Sequence, residues 1–287
     1  MIKYNKLYII VFQYLYKQRG VTQMERTQLM QIDDAVNAWL ETLDEIIPKL
    51  INDMVTTTKQ NRFDLVTNVD KTIQQHFERF LNQYFPNHQL FAEEKSNNDI
   101  NAKQGHVWIM DPIDGTTNLV KQQEDYCIIL GYFVDGEPVL SYIYDYPHGQ
   151  LYKAIKGYGA YVNGKPLHEP EMLELKDAIV SYNPLVINDA TISDLNAATF
   201  GYRCIGSCGL DSMRVVKGQF GAHVNTNPKP WDIAAQFLFA SELGLKMTSL
   251  NNEPLDFSTA GPFIISNKGC HADMLAILNA GDGYKKY

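Results

Sequence analysis

The run MDPIDGTTNLV, residues 110–120, sets Asp111 and Asp114 three positions apart, with Pro112 between them and Gly115-Thr116-Thr117 behind. It follows the apolar stretch Val107-Trp108-Ile109-Met110, so two carboxylates stand at the end of a segment suited to a core. Uncompensated charge beside a low-dielectric interior is costly. The compensating partner is either a salt-bridging Arg or Lys, or a cation. Pro112 fixes φ and Gly115 admits positive φ, so a turn here can aim both aspartates and the Ile113 carbonyl into one small volume. Thr116 and Thr117 add hydroxyls and backbone N–H groups alongside. A donor set made only of oxygen suits Mg²⁺ or Mn²⁺.

Other carboxylates sit at comparable places. Glu93-Glu94 follows Leu90-Phe91-Ala92, Asp232 follows NPKPW and opens DIAAQFLFA, and Asp70 stands where TNV meets a helix starting at Lys71. Taken singly, each has a plain structural explanation: Asp70 and Asp232 as helix N-caps, Glu93-Glu94 as a solvated turn. A calcium loop fails on spacing, because counting from Asp111 the third position is Ile113 and the twelfth is Gln122. Neither G-x-x-x-x-G-K-[ST] nor G-x-S-x-G occurs, so a hydrolase here would have to use metal-activated water.

The elements that must position these residues follow from periodicity and turn signals. Leu29, Ile32, Val36, Trp39, Leu40, Leu43, Ile46, Ile47 and Leu50 recur at helical spacing, predicting one or two helices over 26–58. Residues 63–70 read as a short extended or turn segment, 71–85 as a helix closed by Pro86, and HQLFAEEKS and HVWIM as strands. Residues 125–167 form a β-meander punctuated by Asp135-Gly136 and Asn163-Gly164. Further strands are expected at 178–182, 202–205 and 262–266, and helices at 190–198, 209–218, 231–242 and 271–279. A weak boundary near Pro166–Leu175 divides a 24–170 half from a 171–287 half. Residues 1–23 read as an appendage or an upstream start. Their apolar run Leu7–Tyr16 lacks a small-residue cleavage site and is too short for a membrane span.

With 287 residues, 45% hydrophobic and 20% charged, the chain has the composition of a soluble globular protein large enough for a real core. A net charge of −8 argues against a nucleic-acid or anionic-membrane binder, while a small anionic substrate is allowed where a local cation reverses the field. Cys127, Cys204, Cys208 and Cys270 show no zinc spacing and read as reduced thiols of a cytoplasmic protein; Gly206 and Gly209 argue against Cys204 and Cys208 facing each other on a helix.

FAEE, WIMDPIDGTTN and PWDIAA, in this order and spacing, resemble the inositol monophosphatase family, as do DLVTNVDK, GYGAYVNGKPL and GSCGLDSMRVVKGQFGAH. The resemblance spans the chain from about Met24 onward. It implies an α+β fold, a layered αβαβα sandwich, and Mg²⁺-dependent hydrolysis of a small phosphomonoester by a homodimer. It also implies two or three ions per site, Mn²⁺ as a substitute, and lithium sensitivity. Carried over, Glu93, Asp111 and the Ile113 carbonyl hold a first ion. Asp111, Asp114 and Asp232 share a second, and Glu93 faces a weaker third. Asp70 and Thr116 position and deprotonate the attacking water, with Glu94 behind the ligands. Gly115, Thr116, Cys208, Asn225 and Asp232 meet the substrate, the backbone N–H groups near Gly115 cradling phosphate.

There is one departure. Seven residues before Asp232, animal members carry a glutamate that contacts inositol hydroxyls, whereas this chain has Asn225. Inositol 1-phosphate ranks first among substrates and the NADP(H) 2′-phosphate second. Fructose 1,6-bisphosphate and 3′(2′),5′-bisphosphate nucleotides follow. A reading from another class, a metal-binding regulatory protein without catalysis, is opposed by the presence of every implied ligand and of Asp70 and Thr116.

Overall fold

The computed structural model describes residues 23–59, 65–97, 99–259 and 261–286. The expected appendage, residues 1–23, lies outside the described residues except for Gln23. A first unit of the chain ends at Asn52 and contains helix α1, Gln23–Asn52. Helical periodicity predicted helix up to residue 58. The chain instead leaves the helix at Asn52, and the β-branched run Thr56–Thr58 forms strand β1.

The second unit begins at Asp53. β1 pairs antiparallel with β2, Leu65–Thr67, which leads directly into α2, Asn68–Tyr84. A seven-stranded sheet follows, in the order β3-β4-β5-β6-β7-β8-β9. Its strands are β3 (Gln89–Ala92), β4 (His106–Asp114), β5 (Cys127–Val134), β6 (Glu137–Asp145), β7 (Gln150–Ile155), β8 (Gly159–Val162) and β9 (Lys165–Pro166), with α3 (Thr116–Gln122) between β4 and β5. Only β3 and β4 run parallel. The meander turns fall where expected, with Asp135-Gly136 and Asn163-Gly164 all at positive φ, as two-residue hairpins require.

The rest of the chain builds a five-stranded sheet, ordered β11-β10-β12-β14-β13. It comprises β10 (Ile179–Ser181), β11 (Gly201–Arg203), β12 (Ala222–Asn225), β13 (Lys246–Ser249) and β14 (Phe263–Ser266). Its helices are α4 (Asp189–Ala198), α5 (Cys208–Val216), α6 (Pro230–Glu242) and α7 (Lys268–Leu278). β12 and β13 lie outside the strands anticipated from the sequence.

Alternation along β4 sorts its side chains between two layers. Trp108 points toward α2, meeting Phe77 edge-on at 5.4 Å and stacking on Tyr132 at 4.6 Å. Val107 and Ile109 join Phe133 and Ala234 of α6 on the opposite face. A larger core of Ile129, Ile143, Leu210, Met213, Ile233, Leu238, Phe239, Phe263 and Ile265 packs α5 and α6 between the two sheets. Beyond the second sheet, Leu195 of α4 and Met274, Leu275 and Leu278 of α7 pack with Val180, Val224 and Ile264. The layers are therefore α2, sheet, α5 and α6, sheet, α4 and α7: an αβαβα sandwich.

Candidate active site

β4 does not stop at Met110 in a turn, as the sequence suggested; it runs on to Asp114. Asp111 pairs with Ile129 and Asp114 with Cys127, so three steps on β4 match two on β5. This is a bulge, and it explains how a proline is accommodated inside an internal strand, where it cannot donate to the ladder. On a regular strand, residues three apart project from opposite faces. Because Ile129 and Cys127 share a face, the extra residue returns Asp114 to the side of Asp111, the face toward α6. The Asp111 carboxylate accepts from the Ile113 N–H at 2.9 Å. Beyond the bulge, Gly115 has φ of 93° and admits the chain to α3.

Asp70 and Asp232 are not N-caps; each sits in the third position of a helix and bonds back to the residue before it. Asp70 Oδ2 accepts from the Thr67 N–H at 2.9 Å while the Thr67 hydroxyl accepts from the Val69 N–H at 3.0 Å, a reciprocal capping box. Asp232 Oδ2 accepts from the Lys229 N–H at 2.8 Å, with Pro230 at the first helical position. The Thr116 hydroxyl lies 3.0 Å from both Asp70 Oδ1 and the Ile113 carbonyl oxygen, and its single proton serves one of them at a time.

Asp114 meets the N-terminus of α5. It accepts from the Cys208 N–H at 3.1 Å, the Gly209 N–H at 2.7 Å, the Ser207 hydroxyl at 2.5 Å and the Cys127 thiol at 3.4 Å. The helix end supplies partial positive charge to a buried carboxylate. Position 209 must be glycine for this approach, since a Cβ there would lie 2.7 Å from Cys127 Sγ and 3.1 Å from Asp114 Oδ2. Glu93 and Glu94 share the ammonium of Lys59, with Glu93 Oε1 at 2.8 Å. The Glu94 N–H donates to Gln74 Oε1 at 2.9 Å, fixing this strand end against α2.

The electrostatics are dominated by crowded, buried carboxylates. Burial, then Glu93, Asp114, Asp232 and Asp70 in turn, hold the Asp111 carboxyl well above the usual aspartate range. Burial and the charge on Asp114 push Asp232 up to about 8, opposed by the Lys229 N–H bond. Burial raises Asp70 despite hydrogen bonds from Thr67 and Thr116, and raises Asp114 despite Ser207 and the α5 N–H groups. Burial opposes the charge on Lys59, yet Glu93 and Glu94 outweigh it and hold the amine protonated. Glu93 is nonetheless raised, because burial together with Glu94 and Asp70 outweighs Lys59. Among the described residues, no three His, Cys, Asp or Glu side chains close on one point at ligating distance, since Asp114 and Glu93 are turned onto α5 and Lys59. Asp111, raised by burial and by the four carboxylates Glu93, Asp114, Asp232 and Asp70, nevertheless stands within an oxygen donor set that fits hard divalent cations.

Asp114, Cys208, Asn225 and Asp232 line one cavity of about 350 Å³. Asp70, Glu93, Asp111 and Thr116 are not part of its lining; Asp111 and Glu93 are linked to it by charge, through Asp114 and Asp232 and through Asp232 respectively. Lys59, Thr67, Ser207, Asp211 and His223 were not anticipated as parts of this site. The pattern T-x-x-D at 67–70 could have exposed Thr67, and the serine of GSCG could have been read as the cap of α5. Nothing local marks Lys59, 34 residues from Glu93 along the chain. The four cysteines are free thiols; Cys204 lies in the loop before α5, and Cys208 at its start.

Comparison with known proteins agrees with this fold. The inositol monophosphatase family model matches residues 26–280. The inositol-1-monophosphatase of Bacillus subtilis (strain 168) is 32% identical over 252 residues, which cover 85% of this chain and 95% of that protein. A crystal structure of a dual-specific IMPase/NADP phosphatase bound with D-inositol-1-phosphate is 62% identical, covers 90% of this chain and 99% of its own, and superposes with a TM-score of 0.87. A crystal structure of an IMPase/NADP phosphatase complexed with Mg²⁺ and phosphate is 63% identical, covers 91% and 99%, and superposes with a TM-score of 0.89.

Proposed function

Since this chain belongs to the inositol monophosphatase family, we propose that its phosphatase activity is Mg²⁺-dependent and directed at inositol 1-phosphate, with the 2′-phosphate of NADP as a second substrate. The observation that carries the metal-dependent reading is the gathering of buried carboxylates around Asp111, which burial and then Glu93, Asp114, Asp232 and Asp70 all raise, while burial and then Asp114 and Glu93 raise Asp232; divalent cations relieve that repulsion.

Glu93, Asp111 and the Ile113 carbonyl would hold one ion, and Asp111, Asp114 and Asp232 a second. Glu93 would also face a third, and Mn²⁺ would be able to replace Mg²⁺. For Asp114 this requires exchanging part of its hold on α5 for the cation. For Glu93 it requires displacement of Lys59. The 24–170 half supplies all of these ligands except Asp232, which the 171–287 half brings on α6. Bound there, the ions would supply neutralisation of the phosphate dianion and acidification of the attacking water.

The remaining work falls to the chain itself. With its proton directed to Asp70 Oδ1, the Thr116 hydroxyl presents a lone pair to water. As water gives its proton to Thr116 Oγ1, Thr116 passes its own to Asp70, whose raised pKa makes it the stronger base. Backbone N–H groups at Gly115 and Thr116 face the phosphate. Cys208 and Asn225 meet the organic part of the substrate along the cavity wall. No described helix is long and apolar enough to cross a membrane. We place the protein in the cytoplasm as a homodimer.

Turnover of p-nitrophenyl phosphate tests the reading. Mg²⁺ should activate, Li⁺ should inhibit, and Ca²⁺ should substitute poorly because its larger, irregular coordination misplaces the water. Full activity in excess EDTA would overturn the scheme, and absence of turnover on any phosphomonoester would favour the regulatory reading.

The NADP reaction has its own support in Asn225, a neutral side chain on the cavity wall. A glutamate there would repel substrates bringing further phosphate groups, whereas an amide both donates and accepts hydrogen bonds. Asn225→Glu should therefore depress kcat/KM for NADP more than for inositol 1-phosphate, by roughly 1–3 kcal/mol in the ratio. Equal loss on NADP, inositol 1-phosphate and p-nitrophenyl phosphate would assign Asn225 a structural role only.

A further inference from the structure

The same cavity is also lined by Ser181, Asp211 and His223. All three are buried, at 1%, 3% and 5% exposure. Ser181 closes β10, His223 lies on β12, and Asp211 is in the first turn of α5. The directions of their hydrogen bonds can be worked out in sequence. Ser181 Oγ is 2.6 Å from Asp211 Oδ1, and a carboxylate can only accept, so the serine proton points to Asp211. Asp211 is held in turn by the N–H groups of Ile205 at 3.4 Å and Gly206 at 3.3 Å. With its proton committed, Ser181 Oγ can only accept from His223 Nδ1, 3.2 Å away, so the imidazole proton sits on Nδ1. Burial pushes the His223 pKa down, against Asp211 and Asp114, which keeps the ring neutral. A neutral imidazole protonated at Nδ1 carries a lone pair at Nε2. The protein atom facing that lone pair is Cys208 Sγ at 3.7 Å, a weak donor.

We infer that His223 Nε2 is a hydroxyl-reading acceptor of the substrate pocket, held in the Nδ1–H tautomer by the Asp211–Ser181 relay. It takes the hydroxyl of a polyol phosphate, whether cyclitol or ribose. Ser181 and Asp211 are positioning residues in this scheme, since they act through the imidazole. The inference rests on the phosphomonoesterase reading and extends it from the carboxylates of the cavity to these three side chains. It accounts for a buried histidine on a polar cavity wall without giving it a place in proton transfer.

The test compares inositol 1-phosphate with p-nitrophenyl phosphate, which has no hydroxyl to read. His223→Phe should lower the ratio of kcat/KM for the two substrates by about three- to tenfold, the scale of one neutral hydrogen bond. The loss should appear in the KM for inositol 1-phosphate more than in its kcat. His223→Gln places an amide oxygen near the Nε2 position and should recover most of the ratio. His223→Asn, whose amide stays near Nδ1, should not. A readout independent of turnover and of variant folding comes from ¹⁵N NMR of the histidine rings in the wild-type chain. His223 should show the Nδ1–H pattern, and Ser181→Ala should shift it toward a mixture of tautomers. An Nε2–H ring in the wild type would overturn the inference, as would an unchanged substrate ratio in His223→Phe while p-nitrophenyl phosphate is still hydrolysed. If the wild type hydrolyses neither substrate with Mg²⁺, the phosphomonoesterase reading fails first and the inference falls with it.

Discussion

Asp111→Asn is expected to lower kcat/KM by at least about a thousandfold at saturating Mg²⁺, the order seen when an electrostatic partner of the transition state is removed. Asp111 is the candidate ligand whose pKa is raised by all of Glu93, Asp114, Asp232 and Asp70, and it is assigned to both principal ions. The substitution keeps the shape of the side chain and an oxygen able to accept from the Ile113 N–H, so the bulge should survive. Stability should move the opposite way from activity. A carboxyl whose folded pKa is raised stabilises the fold at low pH, and that contribution is lost as pH rises through the folded value. For Asp232, raised to about 8, the window opens at the ordinary aspartate range and closes near pH 8. Metal-free wild type should therefore lose melting temperature across this window, and Asp111→Asn should lose less. Calorimetry with and without Mg²⁺ across that range checks the sign. Turnover within threefold of wild type in Asp111→Asn would remove the metal assignment.

Asp70→Asn and Thr116→Val should each cost about a hundredfold to ten-thousandfold in kcat, the range of general-base catalysis. Both changes are nearly isosteric. Asparagine can still accept from the Thr67 N–H, so α2 keeps its cap, and valine still fills the first turn of α3. The pH profile separates loss of a base from loss of structure. Burial raises Asp70, so the acid limb of kcat/KM in the wild type should lie above the ordinary aspartate range. Cations nearby favour the carboxylate, so that limb should move to lower pH as Mg²⁺ is raised. In Asp70→Asn the residual activity should lack the limb altogether. An unchanged limb in that variant would place the titrating base elsewhere.

Much of this architecture could be read from local pattern. Asp135-Gly136 and Asn163-Gly164 marked the meander, and apolar spacing placed α2, α5 and α6 to within a few residues. The carboxylates at strand ends marked the candidate site because they violate the expected composition of a core. The bulge was hidden, although Pro112 within an apolar run hints that regular pairing must break there. β12 escaped notice because its four residues, Ala-His-Val-Asn, carry two polar side chains that turn toward the cavity rather than solvent. The helix boundary at Asn52 was missed because apolar periodicity says little about where a helix stops. Long-range contacts left no local trace. Lys59 meets Glu93 across 34 residues, and Asp114 meets the start of α5 across more than 90. Asp70 and Asp232 looked like capping residues, and both do bond to helix starts, but from the third helical position inward.

That shared placement has a thermal consequence. Asp70 and Asp232 each tie one carboxylate oxygen to the backbone N–H that precedes a helix, so the direction of the carboxylate depends on the first helical turn staying wound. Helix ends are the parts that fray first, through local openings that cost less than global unfolding. Warming should therefore misaim the proposed proton acceptor on α2 and the proposed ligand on α6 before the sandwich itself melts, and catalysis should fade reversibly below the temperature of collapse. The two side chains proposed to serve chemistry also close helix ends, which would couple the working temperature of the site to the fraying of α2 and α6.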